Sequence, residues 1–102
     1  MPERWVRIAR EGEVAPGSSL ALRVERWDLA LHNVDGRLYC TSNVCPHQGL
    51  ALAGGPLAGT VLTCPWHGWK FDVTTGFTPY SSWTRILCFP LKIEGGEIFV
   101  GL

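Results

Sequence analysis

The chain has 102 residues, 46% of them hydrophobic and 18% charged, and nine Lys and Arg balance nine Asp and Glu to a formal charge of zero. That length supports one domain with one modest core, which excludes a multidomain enzyme or a two-lobed catalytic cleft. The balance of charge argues against nucleic acid or an anionic membrane surface as the main partner, because either calls for a basic patch.

The opening stretch MPERWVRIAREGE is too charged for the apolar core of a secretory signal, and no run reaches the length of a membrane span. A cytoplasmic protein is expected. In a reducing compartment, four cysteines suggest metal or redox chemistry before a disulfide framework. Short apolar runs punctuated by scattered Gly and Pro read as an all-β chain. Trp5 to Ala9 is a first strand and Leu20 to Val24 a second, separated by the turn-rich Ala15, Pro16, Gly17 and Ser18. Trp27 to Val34 and Arg37 to Thr41 form a hairpin around Asp35 and Gly36, a pair that tolerates the positive φ of a tight reversal. A last hairpin joins Leu87 to Ile93 with Glu97 to Leu102 through Glu94, Gly95 and Gly96, with Lys92 and Glu97 facing solvent.

Between these hairpins the character changes. Residues 43–80 hold six of the twelve glycines, four of the seven prolines, two of the four cysteines and two of the three histidines. The segment reads as a loop-built insert in which Thr60 to Thr63 and Trp69 to Val73 are the strands, and loops on a rigid sheet are where binding chemistry sits. The division is a scaffold of residues 1–42 and 81–102 and a binding subdomain of residues 43–80, within a single domain spanning 1–102.

Inside the insert stand Cys45-Pro46-His47-Gln48-Gly49 and Cys64-Pro65-Trp66-His67-Gly68, with sixteen residues between His47 and Cys64. Two thiolates and two imidazoles form a mixed sulfur and nitrogen set that suits zinc or an iron–sulfur centre and excludes hard cations such as calcium or magnesium. Zinc remains the rival. A common zinc finger pairs its cysteines together and its histidines together, whereas here each loop offers one of each. One iron taking both thiolates and a second taking both imidazoles, bridged by sulfides, would use every ligand. Gly49 and Gly68 leave room for backbone N–H groups to approach sulfides.

The motifs CPHQG and CPWHGWKFD resemble those of the Rieske family, and the likeness covers nearly the whole chain. It implies a Rieske-like antiparallel β-sandwich with a loop-rich cluster-binding subdomain inserted between scaffold hairpins. It implies one Rieske-type [2Fe-2S] cluster, with Cys45 and Cys64 on the inner iron and His47 and His67 on the outer iron near the tip. Gly76-Phe77-Thr78-Pro79 resembles the family's third, proline-bearing loop, a plain turn being the alternative. High-potential members carry two further cysteines that tie the cluster loops together. Here the matching positions are Leu50 and Trp66, and Trp69 stands where that class has a serine donating to a sulfide. Fewer donors leave the reduced cluster less stabilised, so the expected potential lies near the lower end of about −150 to +300 mV.

Cys40 and Cys88 lie outside these loops and are expected as buried, inert thiols, with a disulfide conceivable only if their strands are neighbours. His32 is expected to be structural. One spare histidine cannot supply the two-histidine, one-carboxylate site of an oxygenase, so the chain reads as an electron-transfer component and not as an enzyme. The resemblance implies a soluble ferredoxin passing single electrons from a flavin-dependent reductase to a terminal, aromatic-ring-hydroxylating oxygenase. The alternatives are a Rieske-type small subunit of an assimilatory nitrite reductase and a zinc-stapled interaction module. Pro46, Gln48, Leu50, Trp66, Pro79 and Tyr80 would form a mostly uncharged docking patch, Trp66 being alternatively a lid over the cluster. Docking is expected to be transient and weakly dependent on ionic strength, without nucleic acid or membrane.

Overall fold

In a computed structural model of the chain, the described residues are 4–44, 51–65, 68–78 and 81–102, the side chains of 81–84 excepted. They form twelve strands: β1 (Trp5–Arg10), β2 (Ser19–Val24), β3 (Trp27–Val34), β4 (Arg37–Ser42), β5 (Leu57–Ala58), β6 (Val61–Thr63), β7 (Lys70–Asp72), β8 (Phe77–Thr78), β9 (Ser81–Arg85), β10 (Cys88–Phe89), β11 (Leu91–Glu94) and β12 (Glu97–Gly101). One 3-10 turn, Glu11–Glu13, interrupts them, and no helix among the described residues is long and apolar enough to cross a membrane.

Two antiparallel sheets, ordered β1-β12-β11 and β10-β4-β3-β2, close over a shared core. Ala9, Leu29, Leu31, Cys40, Ile98 and Val100 meet there with at most 2% of their surface exposed. Full burial of a Leu, Ile or Val side chain contributes roughly 1.5–3 kcal/mol, so this set fixes which face of each strand turns inward. Asp35 and Gly36, at φ 50° and 92°, make the expected reversal between β3 and β4. Gly95 and Gly96 do the same between β11 and β12. A third tight reversal joins β2 to β3 at Glu25 and Arg26, with Glu25 at φ 58°, and no turn dipeptide marks it in the sequence.

The stretch from Leu87 to Ile93 is not the single strand expected. Cys88–Phe89 pairs with β4, whereas Leu91–Glu94 pairs with β12 in the other sheet. Pro90 stands at the crossing, where its missing N–H would have broken a ladder and where its carbonyl accepts from Gly101 N at 2.9 Å. The insert likewise holds two short strands beyond those expected, β5 and β8, in the sheets β5-β6-β7 and β8-β9.

The two spare cysteines part company. Thr41 is opposite Cys88 and Cys40 is opposite Phe89, so Cys40 and Cys88 are one position out of step and, in strands that alternate, lie on opposite faces. Their strands are neighbours, yet both thiols are free. Cys40 is buried as expected, and burial, with Cys88 adding in the same direction, pushes its thiol up to about 12. Cys88 is exposed, contrary to expectation: it lies in a two-residue strand at the edge of the sheet, and its Sγ reaches the Val73 carbonyl at 3.9 Å.

His32 is the structural histidine anticipated. It is fully buried, with Nδ1 2.7 Å from Ser19 Oγ and Nε2 2.8 Å from Thr41 Oγ1. The Thr41 hydroxyl donates to the Ser42 carbonyl at 3.0 Å, so it accepts from His32. Nε2 therefore carries the proton and Nδ1 accepts from Ser19. Burial holds the imidazole down at about 4, so it is neutral near pH 7.

Candidate metal centre

A second core lies under the insert, built from Leu52, Leu62, Cys64, Phe71, Val73 and Ile86. Leu62 pairs with Phe71 and Thr63 with Lys70, which aligns β6 and β7 up to the start of the second motif. There Cys64 N donates to the Trp69 carbonyl at 2.6 Å, and Gly68 N donates back to the Cys64 carbonyl at 3.1 Å. Gly68 sits at φ 73°, a conformation that disfavours any residue with a Cβ. The segment from Cys64 to Trp69 is thus closed at its base, with the Cys64 side chain turned into the core at 1% exposure.

The first motif is closed at its base by a different device. Val44 bridges to Ala51, so the chain leaves and re-enters at one place. Asn43, 7% exposed, secures this neck: its N–H donates to the Asp28 carbonyl in β3 at 2.8 Å. Its Oδ1 accepts from Leu52 N at 3.0 Å and Ala53 N at 2.7 Å. A turn follows in which Gly55 N donates to the Leu52 carbonyl at 3.2 Å, with Gly54 at φ 102°. Gly55 then passes so close to β6 that a Cβ would lie 1.9 Å from the Thr63 carbonyl oxygen and 3.0 Å from Pro65 Cδ.

The third loop is tied in the same manner. Asp72 anchors its start, Oδ1 accepting from Thr74 N and Oγ1 at 2.9 and 2.5 Å and its carbonyl accepting from Gly76 N at 2.6 Å. Thr78 pairs with Ser81 on the far side of Pro79 and Tyr80. In all three loops, then, the flanking residues bond to one another across a neck, as binding loops need if they are to hold a fixed geometry.

Of the sequence-derived ligands, the structure places Cys64. Cys45, His47 and His67 lie outside the described residues, as do Pro46, Gln48, Leu50, Trp66, Pro79 and Tyr80 of the expected docking patch. Cys64 fits a soft centre: its thiol is free of any disulfide, and its apolar surroundings favour a metal bonded to sulfur over a hydrated cation. Sequence reasoning missed Asn43 and Gly55. The Gly54-Gly55-Pro56 run signals a turn, but nothing in it reveals the approach to Thr63.

The family model for the Rieske [2Fe-2S] domain matches residues 4–82. The ferredoxin component of the naphthalene 1,2-dioxygenase system of Pseudomonas aeruginosa is 36% identical over 103 residues, covering all of this chain and 99% of the relative. Among solved structures, the Sphingomonas yanoikuyae B1 ferredoxin superposes with a TM-score of 0.89 at 32% identity, over 97% of this chain and 99% of that one. A chain from the complex of reduced oxygenase and oxidized ferredoxin in carbazole 1,9a-dioxygenase gives 0.85 at 31% identity, over 94% and 100%. A nitrite reductase small subunit from Mycobacterium tuberculosis gives 0.87 at 19% identity, over 97% and 95%, a likeness of fold alone.

Proposed function

From the premise that this chain belongs to the Rieske [2Fe-2S] domain family, we propose that it is a ferredoxin that carries single electrons from a flavin-dependent reductase to a terminal, aromatic-ring-hydroxylating oxygenase. The observation that carries this reading is the closed turn that buries the free Cys64 thiol at the base of CPWHG, one of two Cys/His motifs.

Cys45 and Cys64 would hold the inner iron and His47 and His67 the outer one. Bound there, the cluster supplies a one-electron acceptor and donor. The chain's part is to keep the four ligands in place through both oxidation states. The hydrogen bonds across each neck and the dry core behind Cys64 suit that task. Residues 43–80 serve as the cluster-binding subdomain on a scaffold of 1–42 and 81–102, its core drawn mainly from the insert and completed by Ile86, Val34 and Tyr39 of the scaffold. The cytoplasm is the compartment that fits a carrier with a free, exposed Cys88.

The purified protein should be red-brown, contain two irons and two sulfides per chain, and bleach on reduction by NADH through a flavoprotein reductase. Cys64→Ser and His67→Ala should each abolish the colour. A colourless wild-type protein holding zinc would leave the zinc-stapled module in its place. Stable co-purification with a nitrite reductase large subunit would replace the mobile carrier by a fixed subunit.

A further inference from the structure

The segments that hold the two Cys/His motifs have no covalent tie at Leu50 or Trp66, yet the described residues connect them by a continuous path. It begins at Asn43, whose N–H is fixed to the scaffold at Asp28 and whose Oδ1 gathers the N–H groups of Leu52 and Ala53. Those two residues open the turn that delivers Gly55 against the Thr63 carbonyl and Pro65, the immediate neighbours of Cys64 on either side. Leu52 itself packs in the same core as Cys64. An acceptor at Asn43 therefore sets where the exit of the first loop lies, and the exit of the first loop abuts the backbone around the Cys64 ligand.

We propose that Asn43 is a positioning residue for the cluster, fixing the first cluster loop on the scaffold and, through the turn at Gly55, fixing it against the second. The inference rests on the functional reading above. A merely structural Asn43 would lower global stability and nothing else. A positioning Asn43 alters the ligand geometry, and with it cluster retention and the electronic structure of the iron pair.

The test uses the intact holoprotein and four variants. Asn43→Ala removes the side-chain acceptor of both N–H groups and leaves only the residue 43 carbonyl, which Leu52 N also meets at 3.2 Å. Asn43→Asp keeps the side-chain acceptor. Gly55→Ala leaves Asn43 alone but forces the turn away from Thr63. Val100→Ala destabilises the scaffold core from β12, in the sheet that does not carry Asp28, and serves as the stability control. Rates of bleaching under an iron chelator, EPR g-values of the reduced protein and thermal midpoints are measured for each. Asn43→Ala and Gly55→Ala should bleach roughly tenfold faster or more and shift the g-values. Asn43→Asp should bleach close to wild type, and Val100→Ala should melt earlier with wild-type g-values. Wild-type bleaching and g-values in Asn43→Ala, or an Asn43→Asp protein as labile as Asn43→Ala, would overturn the proposal while leaving the ferredoxin reading intact. A wild-type protein without iron and sulfide would overturn both.

Discussion

Gly76 and Ile86 are in backbone contact: Ile86 N donates to the Gly76 carbonyl at 2.8 Å, and a Cβ on Gly76 would lie 2.1 Å from the Ile86 carbonyl oxygen. Gly76 also sits at φ 84°. Gly76→Ala thus meets a left-handed penalty of roughly 1–2 kcal/mol and an overpacking cost of roughly 1–3 kcal/mol. The thermal midpoint should fall on the order of 10 °C or more. Gly12→Ala, where φ is ordinary and nothing lies within 4 Å, is the control and should melt with the wild type. Equal midpoints for both variants would contradict the contact.

His32 makes stability depend on pH. Its folded-state value, about 4, lies below the ordinary 6.5, so between those values the unfolded chain binds the extra proton. Stability is fully present above about pH 6.5, falls as pH drops through that window, and loses nothing more from this group below about 4. The loss amounts to about 3 kcal/mol. Urea midpoints of wild type and His32→Gln at pH 7 and pH 4.5 check it, the comparison cancelling acid effects on the cluster that both share. The gap between the two proteins should narrow at the lower pH, and a constant gap would assign His32 no titrating role.

Thiol reactivity should separate the two spare cysteines. Iodoacetamide on the folded holoprotein near pH 8 should add one group, at Cys88, which is exposed, and none at Cys40, whose thiol is buried and pushed up to about 12. Burial raises Cys88 as well, so the reaction should be slow. Intact mass followed by peptide mapping reads the outcome, and Cys88→Ser should take up no label. Modification of Cys40 ahead of Cys88 would contradict the opposite-face register of β4 and β10.

The midpoint potential should lie close to the lower end of the family span, near about −150 mV, since Trp69 offers no hydroxyl to a sulfide. Voltammetry on the holoprotein gives the value directly. A Trp69→Ser variant that keeps its cluster should move upward, and a wild-type midpoint above zero would contradict the assignment.

The sandwich was legible where one residue type has one physical use. Asp35-Gly36 demanded a tight reversal, and the apolar runs around Leu29 to Leu31 and Ile98 to Val100 demanded inward faces. The CPHQG and CPWHG motifs were legible because Cys and His are scarce and chemically committed. Pro90 divides the expected strand, yet a proline near a strand end is common and does not by itself mark a crossing between sheets. The reversal at Glu25 leaves no mark, since Glu has no preference of its own for the positive φ it adopts there. The exposure of Cys88 is not legible, because sequence alternation says which residues share a face but not whether a neighbour covers it. Asn43 reads as an ordinary turn residue, because the two N–H groups it accepts are nine and ten positions away.

The crossing at Pro90 has one more effect. It cuts β10 to two residues, opposite Thr41 and Cys40 of β4, and ends that strip on a residue with no N–H. A strand from another molecule finds too short a template there to add itself to the sheet. For the mobile carrier proposed above, a margin that resists stacking would keep encounters confined to the loops where electrons can pass.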